Sequence, residues 1–311
     1  MIVNWNAGPQ LADCLASIPG AVMDPLRLRR VCVVDNASTD GSVDALRDFD
    51  LPMKILRNRE NRGFAAACNQ GGLGSRADYL LFLNPDTRLE ADSIRRPVVF
   101  LEGAEGAGVG VCGIRLMDSE GELLRSCARF PRPRTFFYRM TGLDLLAPRH
   151  FPGLLMREWD HQTTREVDHV SGAYYLIRRQ VFEQLRGFDE RFFVYLEDLD
   201  LSVRVHACGW RTIFLADTRA YHRGGGTSEQ VKARRLFYSL RSQILYAWKH
   251  FHAWDALAVT LGTLTIEPVV RLIRSLLRLS ARQAAETVQG YLLLWRAIPT
   301  ILRAAWGLWR G

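Results

Sequence analysis

Apolar positions alternate between two styles along the first ninety residues. Short continuous runs at Ile2–Asn4, 30–34, 53–56 and Tyr79–Leu83 read as strands covered on both faces. Between them, Leu11, Leu15 and Ile18 fall at helical spacing, a second helix is predicted over 42–49, and a small-residue helix start over 63–71. This β-α-β-α order predicts an α/β fold with a mainly parallel sheet flanked by helices. Ligands of such sheets lie beyond the carboxyl ends of the strands. The polar clusters at 35–41, 58–63 and 84–86 all stand at those ends.

Further strands are predicted at 109–114, 170–177 and 210–215, and helices at 179–185 and 202–208, the latter closed by Gly209. Residues 118–168 contain Pro131, Pro133, Pro148 and Pro152 and read as irregular, the kind of segment that forms lids or binding loops. Gly108, Gly110 and Gly113 spell GxGxxG. No strand precedes them and a turn follows at 115–121, so they read as a glycine-rich strand rather than a dinucleotide loop.

With 311 residues, 48% of them hydrophobic, the chain can bury a substantial core and carry an appendage. The net charge of +8 is unevenly distributed: residues 231–311 hold twelve Lys/Arg against three Asp/Glu, and residues 1–230 hold 29 against 30. A near-neutral body argues against a nucleic-acid partner, and the basic tail suggests an anionic surface. The boundary expected on this basis separates a catalytic domain at 1–230 from a helical extension at 231–311. Cys14, Cys32, Cys68, Cys112, Cys127 and Cys208 show no metal-ligand spacing and read as reduced, mostly buried thiols of a cytosolic protein. The opening Met1–Asn6 stretch reads as a strand, so no signal peptide is expected.

Candidate chemistry gathers at the strand ends. Asp86, in Asn84-Pro85-Asp86, follows an apolar strand and can hold a divalent ion on two phosphates; a Pro-Asp turn is the plainer alternative. Glu197 and Asp198 follow an aromatic stretch (Phe188, Phe192, Phe193, Tyr195) and can supply a general base, or can merely favour a helix dipole. His222, ahead of Gly224, Gly225 and Gly226, can bind a metal or a phosphate. Asp35 and Asn36 offer an acceptor beside a donor, suited to the edge of a pyrimidine base. Asn58, Asn61, Arg62 and Asn69 add polar groups nearby, each also explicable as turn chemistry.

Seven strings in order resemble the family 2 glycosyltransferases, and within them the rhamnosyltransferase-like branch: Val3-Asn4-Trp5-Asn6; Val33 to Ser42 around Asp35-Asn36; Asn61-Arg62-Gly63 to Asn69; Phe82 to Thr87; Gly172-Ala173 with Arg178; Gly187 to Phe193 with Glu197-Asp198; and His222 to Ser228. The resemblance covers residues 1–228. It implies a GT-A type nucleotide-sugar fold and an inverting transfer. In that picture Asp35 reads the base, and Asn4, Asn6, Asn36, Asn61, Arg62, Gly63, Asn69, Asn84, Gly172 and Ala173 line the donor site. Asp86 and His222 hold Mg²⁺ or Mn²⁺ on the diphosphate, Asp198 takes the acceptor proton, and Glu197 supports it. The implied donor is dTDP-L-rhamnose, with a UDP-hexose second; the implied acceptor is a lipid-linked or growing envelope glycan. Two positions depart from the pattern: Asn84 stands where the family commonly has a first aspartate, and Met1 stands where it carries several more strand residues. A sugar-1-phosphate nucleotidyltransferase would need a glycine-rich loop with Arg and Lys near the first strand, which residues 4–9 do not supply. A catalytically degenerate, membrane-attached scaffold is the non-enzymatic alternative.

The tail is basic and amphipathic. Arg271, Arg274, Arg278 and Arg282 interleave with Val269, Val270, Leu272, Ile273, Leu276, Leu277 and Leu279, and Tyr291, Trp295, Arg296, Arg303, Trp306, Trp309 and Arg310 repeat the theme. Neither 268–282 nor 291–310 is an uninterrupted apolar run of ~20 residues, so neither is expected to span a bilayer. Such helices are expected to lie on an anionic membrane, here the cytoplasmic face of the inner membrane, or to pack on protein.

Overall fold

The computed structural model describes residues 1–46, 49–224 and 231–309, without the side chains of 306, 308 and 309. In chain order the elements are β1 (Ile2–Asn4), α1 (Gln10–Ala21), β2 (Val31–Asp35), β3 (Met53–Arg57), α2 (Phe64–Gly72), β4 (Tyr79–Leu83), β5 (Thr87–Leu89), α3 (Arg95–Glu102), β6 (Val109–Met117), β7 (Leu123–Leu124), β8 (Cys127–Ala128), α4 (Pro133–Thr141) and α5 (Leu143–Leu146). There follow β9 (Arg165–Glu166), β10 (His169–Val170), β11 (Tyr174–Arg178), α6 (Arg179–Gln184), α7 (Glu197–Ala207), β12 (Arg211–His222), α8 (Lys232–His250), α9 (Ala253–Leu277) and α10 (Ala281–Trp309).

The chain forms two compact units. The first comprises Met1–Arg129, Trp159–Glu190 and Asp198–Thr227; the second, Phe130–Glu158, Arg191–Glu197 and Ser228–Gly311. The first is built on a sheet of order β3-β2-β1-β4-β11-β6-β12-β5. β3, β2, β1 and β4 are parallel, as the apolar runs imply, and β2 is buried at all five positions. α1 covers the sheet with Leu11, Cys14, Leu15 and Ile18, one helical stripe. β11 then runs antiparallel to β4 and β6, which makes the whole sheet mixed.

That reversal positions the site. The start of β11 lies at the carboxyl end of β4, with Tyr174 opposite Leu83. β12 runs parallel to β6 and antiparallel to β5, so its last residue, His222, pairs with Thr87. On the other side, β1 pairs with β2 in a register that sets Asn4 beside Asp35.

Several elements differ from their sequence expectations. The helix expected at 42–49 is a turn over its described part, and residues 47 and 48 lie outside the described residues. Asp44 and Leu46 donate to carbonyls three residues back, and Asp40 takes both the N–H and the hydroxyl of Ser42. Residues 118–168 are not irregular throughout. Pro133 suits the first position of α4, Arg132 N–H donates to the Thr135 hydroxyl, and Gly142 ends the helix at φ 77°. The strand expected at 170–177 is broken by a turn at 171–173, where Tyr174 N–H donates to the Ser171 carbonyl. The helix expected at 202–208 begins five residues earlier, and the strand expected at 210–215 continues to His222 through a register shift between Leu215 and Arg219.

The GxGxxG glycines lie at the start of β6 and within it, as expected, and serve packing. A Cβ on Gly110 would meet Trp210, and one on Gly113 would come within 2.6 Å of Val170. Five of the six cysteines are buried, Cys208 is exposed, and all are unbridged.

The second unit contains α4, α5 and the three long helices. α9 begins at Ala253, well before the proline that marked its expected start; Pro268 lies inside it. With that extra length α9 is long and apolar enough to cross a membrane, unlike either tail segment read from the sequence. Its buried face carries Thr260, Thr263, Glu267 and Ser275, while Trp254, Leu257, Leu261, Ile266, Val269, Ile273, Leu276 and Leu277 are exposed. Gln243 of α8 donates to Thr263 and Glu267, Trp248 donates to Thr260, and Arg271 donates two hydrogen bonds to one Glu267 oxygen.

Candidate active site

The carboxyl ends of β1 and β2 form one wall. Asn4 is fully buried, and its side-chain amide donates to Asp35 Oδ1 (3.0 Å), Ser38 Oγ (3.0 Å) and Ser42 Oγ (2.9 Å). This leaves Asp35 Oδ2 without a hydrogen bond among the described residues, an acceptor open to a ligand. Asn6 and Ala37 both have positive φ (52° and 63°) and fold the two loops together: Asn6 N–H donates to Ser38 Oγ, and Thr39 N–H donates to Asn6 Oδ1. Asp40 is partly desolvated, yet hydrogen bonds from the Ser42 side chain and backbone and from Gly8 N–H hold its carboxyl below the ordinary range.

Asn36, by contrast, is fully committed. Its amide donates to Asn61 Oδ1 and the Gly63 carbonyl, and its oxygen accepts from Asn58 and Arg62 N–H. Asn36, Asn61 and Gly63 therefore brace the wall, and the Arg62 side chain is exposed beside them. Asn69 lies elsewhere: it holds the 187–190 turn through Phe188 N–H, the Phe188 carbonyl and Glu190. Gly187, at φ 75°, is needed there, because a Cβ would come within 2.3 Å of Asn69 Oδ1.

The second wall is the end of β4. Asn84 N–H and the Thr87 hydroxyl both donate to the Ala173 carbonyl, which ties the 84–87 turn to the start of β11. Asp86 Oδ1 lies 3.3 Å from His222 Nε2, with side chains 10% and 17% exposed. Arg223 N–H donates to the Asp86 carbonyl and fixes the strand end against the turn. His222 is thus the end of a strand rather than part of a loop; Gly225, Gly226, Thr227 and Ser228 lie outside the described residues. No cluster of three His, Cys, Asp or Glu side chains occurs among the described residues. A carboxylate facing an imidazole fits a divalent ion that takes its remaining ligands from phosphate and water.

The third element is the first turn of α7. Asp198 Oδ2 accepts Gly172 N–H (2.9 Å), and Oδ1 accepts Leu199 N–H (2.8 Å). Gly172 is required for this approach, because a Cβ there would lie 2.9 Å from Oδ2. The turn that carries Asp86 and the carboxylate of Asp198 are therefore held by two consecutive residues, Ala173 and Gly172. Glu197 is buried, and the segment before it is strained: Tyr195 and Leu196 both have positive φ, 69° and 64°. Within the second unit α8 holds that segment, with Ser242 donating to the Val194 carbonyl and Tyr238 stacked on Phe193 at 4.4 Å.

Sequence reasoning missed the groups behind Asp198. His169, Ser202 and Tyr175 are buried there, on β10, α7 and β11. No local spacing links residues 169, 175 and 202.

An open carboxylate at the end of β2, an Asp–His pair at the end of β4 and a carboxylate at the start of α7 thus stand at the ends of the strands. The chain belongs to glycosyl transferase family 2, whose family model matches residues 1–186. It is 28% identical over 304 residues to the N-acetylglucosaminyl-diphospho-decaprenol L-rhamnosyltransferase of Mycobacterium tuberculosis (strain ATCC 25618 / H37Rv), covering 93% of this chain and 96% of the relative. It is 27% identical over 172 residues to the rhamnosyltransferase WbbL of Escherichia coli (strain K12), covering 54% and 61%. Among solved structures it resembles the mannosyltransferase PcManGT from Pyrobaculum calidifontis in complex with GDP-Man and Mn²⁺, with TM-score 0.53, 20% identity and coverage of 98% and 84%. It also resembles S. aureus TarS 1-349 in complex with UDP-GlcNAc, with TM-score 0.56, 13% identity and coverage of 98% and 80%. The fold is that of the GT-A glycosyltransferases, and the chain is a glycosyltransferase.

Proposed function

We propose that this enzyme transfers L-rhamnose from dTDP-L-rhamnose, with inversion, to a hydroxyl of a lipid-linked or growing envelope glycan. The two rhamnosyltransferase relatives favour the sugar, and the acceptor in the mycobacterial relative's name favours the lipid-linked class. What supports the reading is that the turn carrying Asp86, which faces His222, is tied at Ala173 next to Gly172, which holds Asp198, so a carboxylate–imidazole pair and a second carboxylate stand on one short stretch.

In this reading Asp35 accepts from the nucleobase, with Asn4 and Asn6 holding its loop and Asn36, Asn61, Arg62, Gly63 and Asn84 bordering the donor. Asn69 acts indirectly, through the 187–190 turn. Asp86 and His222 would hold Mg²⁺ or Mn²⁺. Such an ion, when bound, offsets the charge that develops on the departing diphosphate. The acceptor oxygen forms a bond to the anomeric carbon while the bond from that carbon to the diphosphate breaks, and the electron pair leaves with the diphosphate. Asp198 takes the acceptor proton, and Glu197 supports the turn that presents it. A single displacement inverts the anomeric centre.

Residues 1–230 serve as the catalytic domain in this reading, and 231–311 as a peripheral anchor on the cytoplasmic face of the membrane. The apolar outer face of α9 and its cationic end at Arg274 and Arg278 support that anchor, as do Arg234 and Arg296 flanking Leu292 and Leu293.

Thermal shift with dTDP and UDP, with and without Mn²⁺, tests the donor site on wild type and Asp86→Ala. Stabilisation by dTDP that needs Mn²⁺ and is lost in Asp86→Ala is expected. Preference for UDP would move the donor to a UDP-hexose, and no shift with either nucleotide in a folded sample would refute the donor site.

A further inference from the structure

Asp198 is backed by a buried polar chain. His169 Nε2 lies 3.6 Å from Asp198 Oδ2, His169 Nδ1 lies 2.9 Å from Ser202 Oγ, and Ser202 Oγ lies 3.0 Å from the Tyr175 hydroxyl. Ser202 and Tyr175 are fully buried, and the His169 side chain is 8% exposed. Burial pushes the imidazole below its ordinary value, against the opposing pull of Asp198 and Asp168, so the ring enters the chain neutral.

A neutral ring has one N–H, and the chain fixes where it is. With the proton on Nε2, the ring donates toward Asp198, Nδ1 accepts from the Ser202 hydroxyl, and Ser202 accepts from Tyr175. All three protons then point at acceptors. With the proton on Nδ1, a ring lone pair faces the carboxylate, and, with Tyr175 still donating, Ser202 Oγ must accept from both the ring and Tyr175 while its own proton leaves the chain. The first arrangement points each proton at an acceptor, and the second sets a ring lone pair against the Asp198 carboxylate.

We infer that His169, as the Nε2–H tautomer held by Ser202 and Tyr175, is a positioning residue that orients the Asp198 carboxylate toward the acceptor hydroxyl. The inference rests on the reading of Asp198 as the base. Gly172 N–H and His169 bracket Oδ2, and Leu199 N–H takes one direction of Oδ1, leaving the other Oδ1 direction for the acceptor proton. The 3.6 Å separation is longer than a hydrogen bond, so the N–H dipole acts on Oδ2 electrostatically across that gap.

The test has two arms. ¹⁵N spectra of histidine-labelled protein report the tautomer directly: a protonated Nε2 and an accepting Nδ1 for His169 are expected near neutral pH. An Nδ1–H ring or an imidazolium would overturn the inference. In kinetics with the donor selected by thermal shift, His169→Leu is expected to lower kcat between about 10- and 100-fold with both KM values unchanged. His169→Gln, whose amide nitrogen stands in for Nε2–H, is expected to recover most of the loss. Equal loss in both variants, or a loss confined to KM, would reduce His169 to a packing role. Unchanged kcat in Asp198→Asn would instead refute the base, while the tautomer result stood.

Discussion

In the sheet-bearing unit, Val33, Phe82, Leu176 and Phe214 fill the interior, and polar side chains are gathered at the strand ends where a ligand can meet them. In the helical unit, α9 turns Thr260, Thr263, Glu267 and Ser275 inward and Leu261, Val269, Leu276 and Leu277 outward. The first unit keeps polar groups where a ligand can reach them, whereas the second buries Leu240, Ile244, Leu245 and Leu294 and still leaves an apolar face of α9 exposed. Scattered exposed apolar residues are ordinary, but a face as long as that of α9 has the character of an interaction surface.

Substitutions in the two units should fail in different ways. The largest effect should come from Asp198→Asn, which is expected to cut kcat by ~10²–10⁴-fold while leaving the melting temperature in place; a rate assay beside a thermal melt checks both. Gly172→Ala, which drives a Cβ against Asp198 Oδ2, should lower kcat about 10-fold with nucleotide binding retained. In the helical unit the penalty should fall on stability instead. Breaking a buried pair costs ~3–5 kcal/mol. Because the Arg271 side chain keeps 35% of its exposure, Glu267→Leu should fall at or below the low end of that range in denaturant unfolding.

A smaller effect is a pH dependence. His169 and His206 are both held below the ordinary value of 6.5 chiefly by desolvation. The unfolded chain therefore takes up protons first, and stability present above that pH should be lost as pH falls through it. Denaturation midpoints from pH 8 to 5.5 should decline, less steeply in His169→Gln. The smallest stability change, within about 0.5 kcal/mol, is expected for Leu276→Ser with Leu277→Ser. If the outer face of α9 meets lipid, that pair should nevertheless weaken flotation with anionic vesicles.

The parallel half of the sheet was legible because its strands are apolar at consecutive positions, which only double-sided burial explains. Asp86 and Asp198 were legible as acids at element ends. Their spatial link was not, because it depends on β11 running backwards, and an apolar run carries no direction. Asn36 and Asn69 read as ligand donors, and their amides already hold the 58–63 loop and the 187–190 turn, because a sequence shows an amide but not what already occupies it. The inverted polarity of α9 was hidden because the helix starts fifteen residues before its proline, and the polar stripe emerges only over that whole length.

The site is assembled from strand ends whose alignment is set by register: Asn4 opposite Asp35, Leu83 opposite Tyr174, Thr87 opposite His222. Side chains alternate faces along a strand, so slipping any one ladder by a single residue removes a member of the constellation instead of shifting it slightly. Such a machine has no half-built setting. Catalytic competence should therefore appear and disappear as one cooperative event, at the same denaturant concentration as the sheet itself.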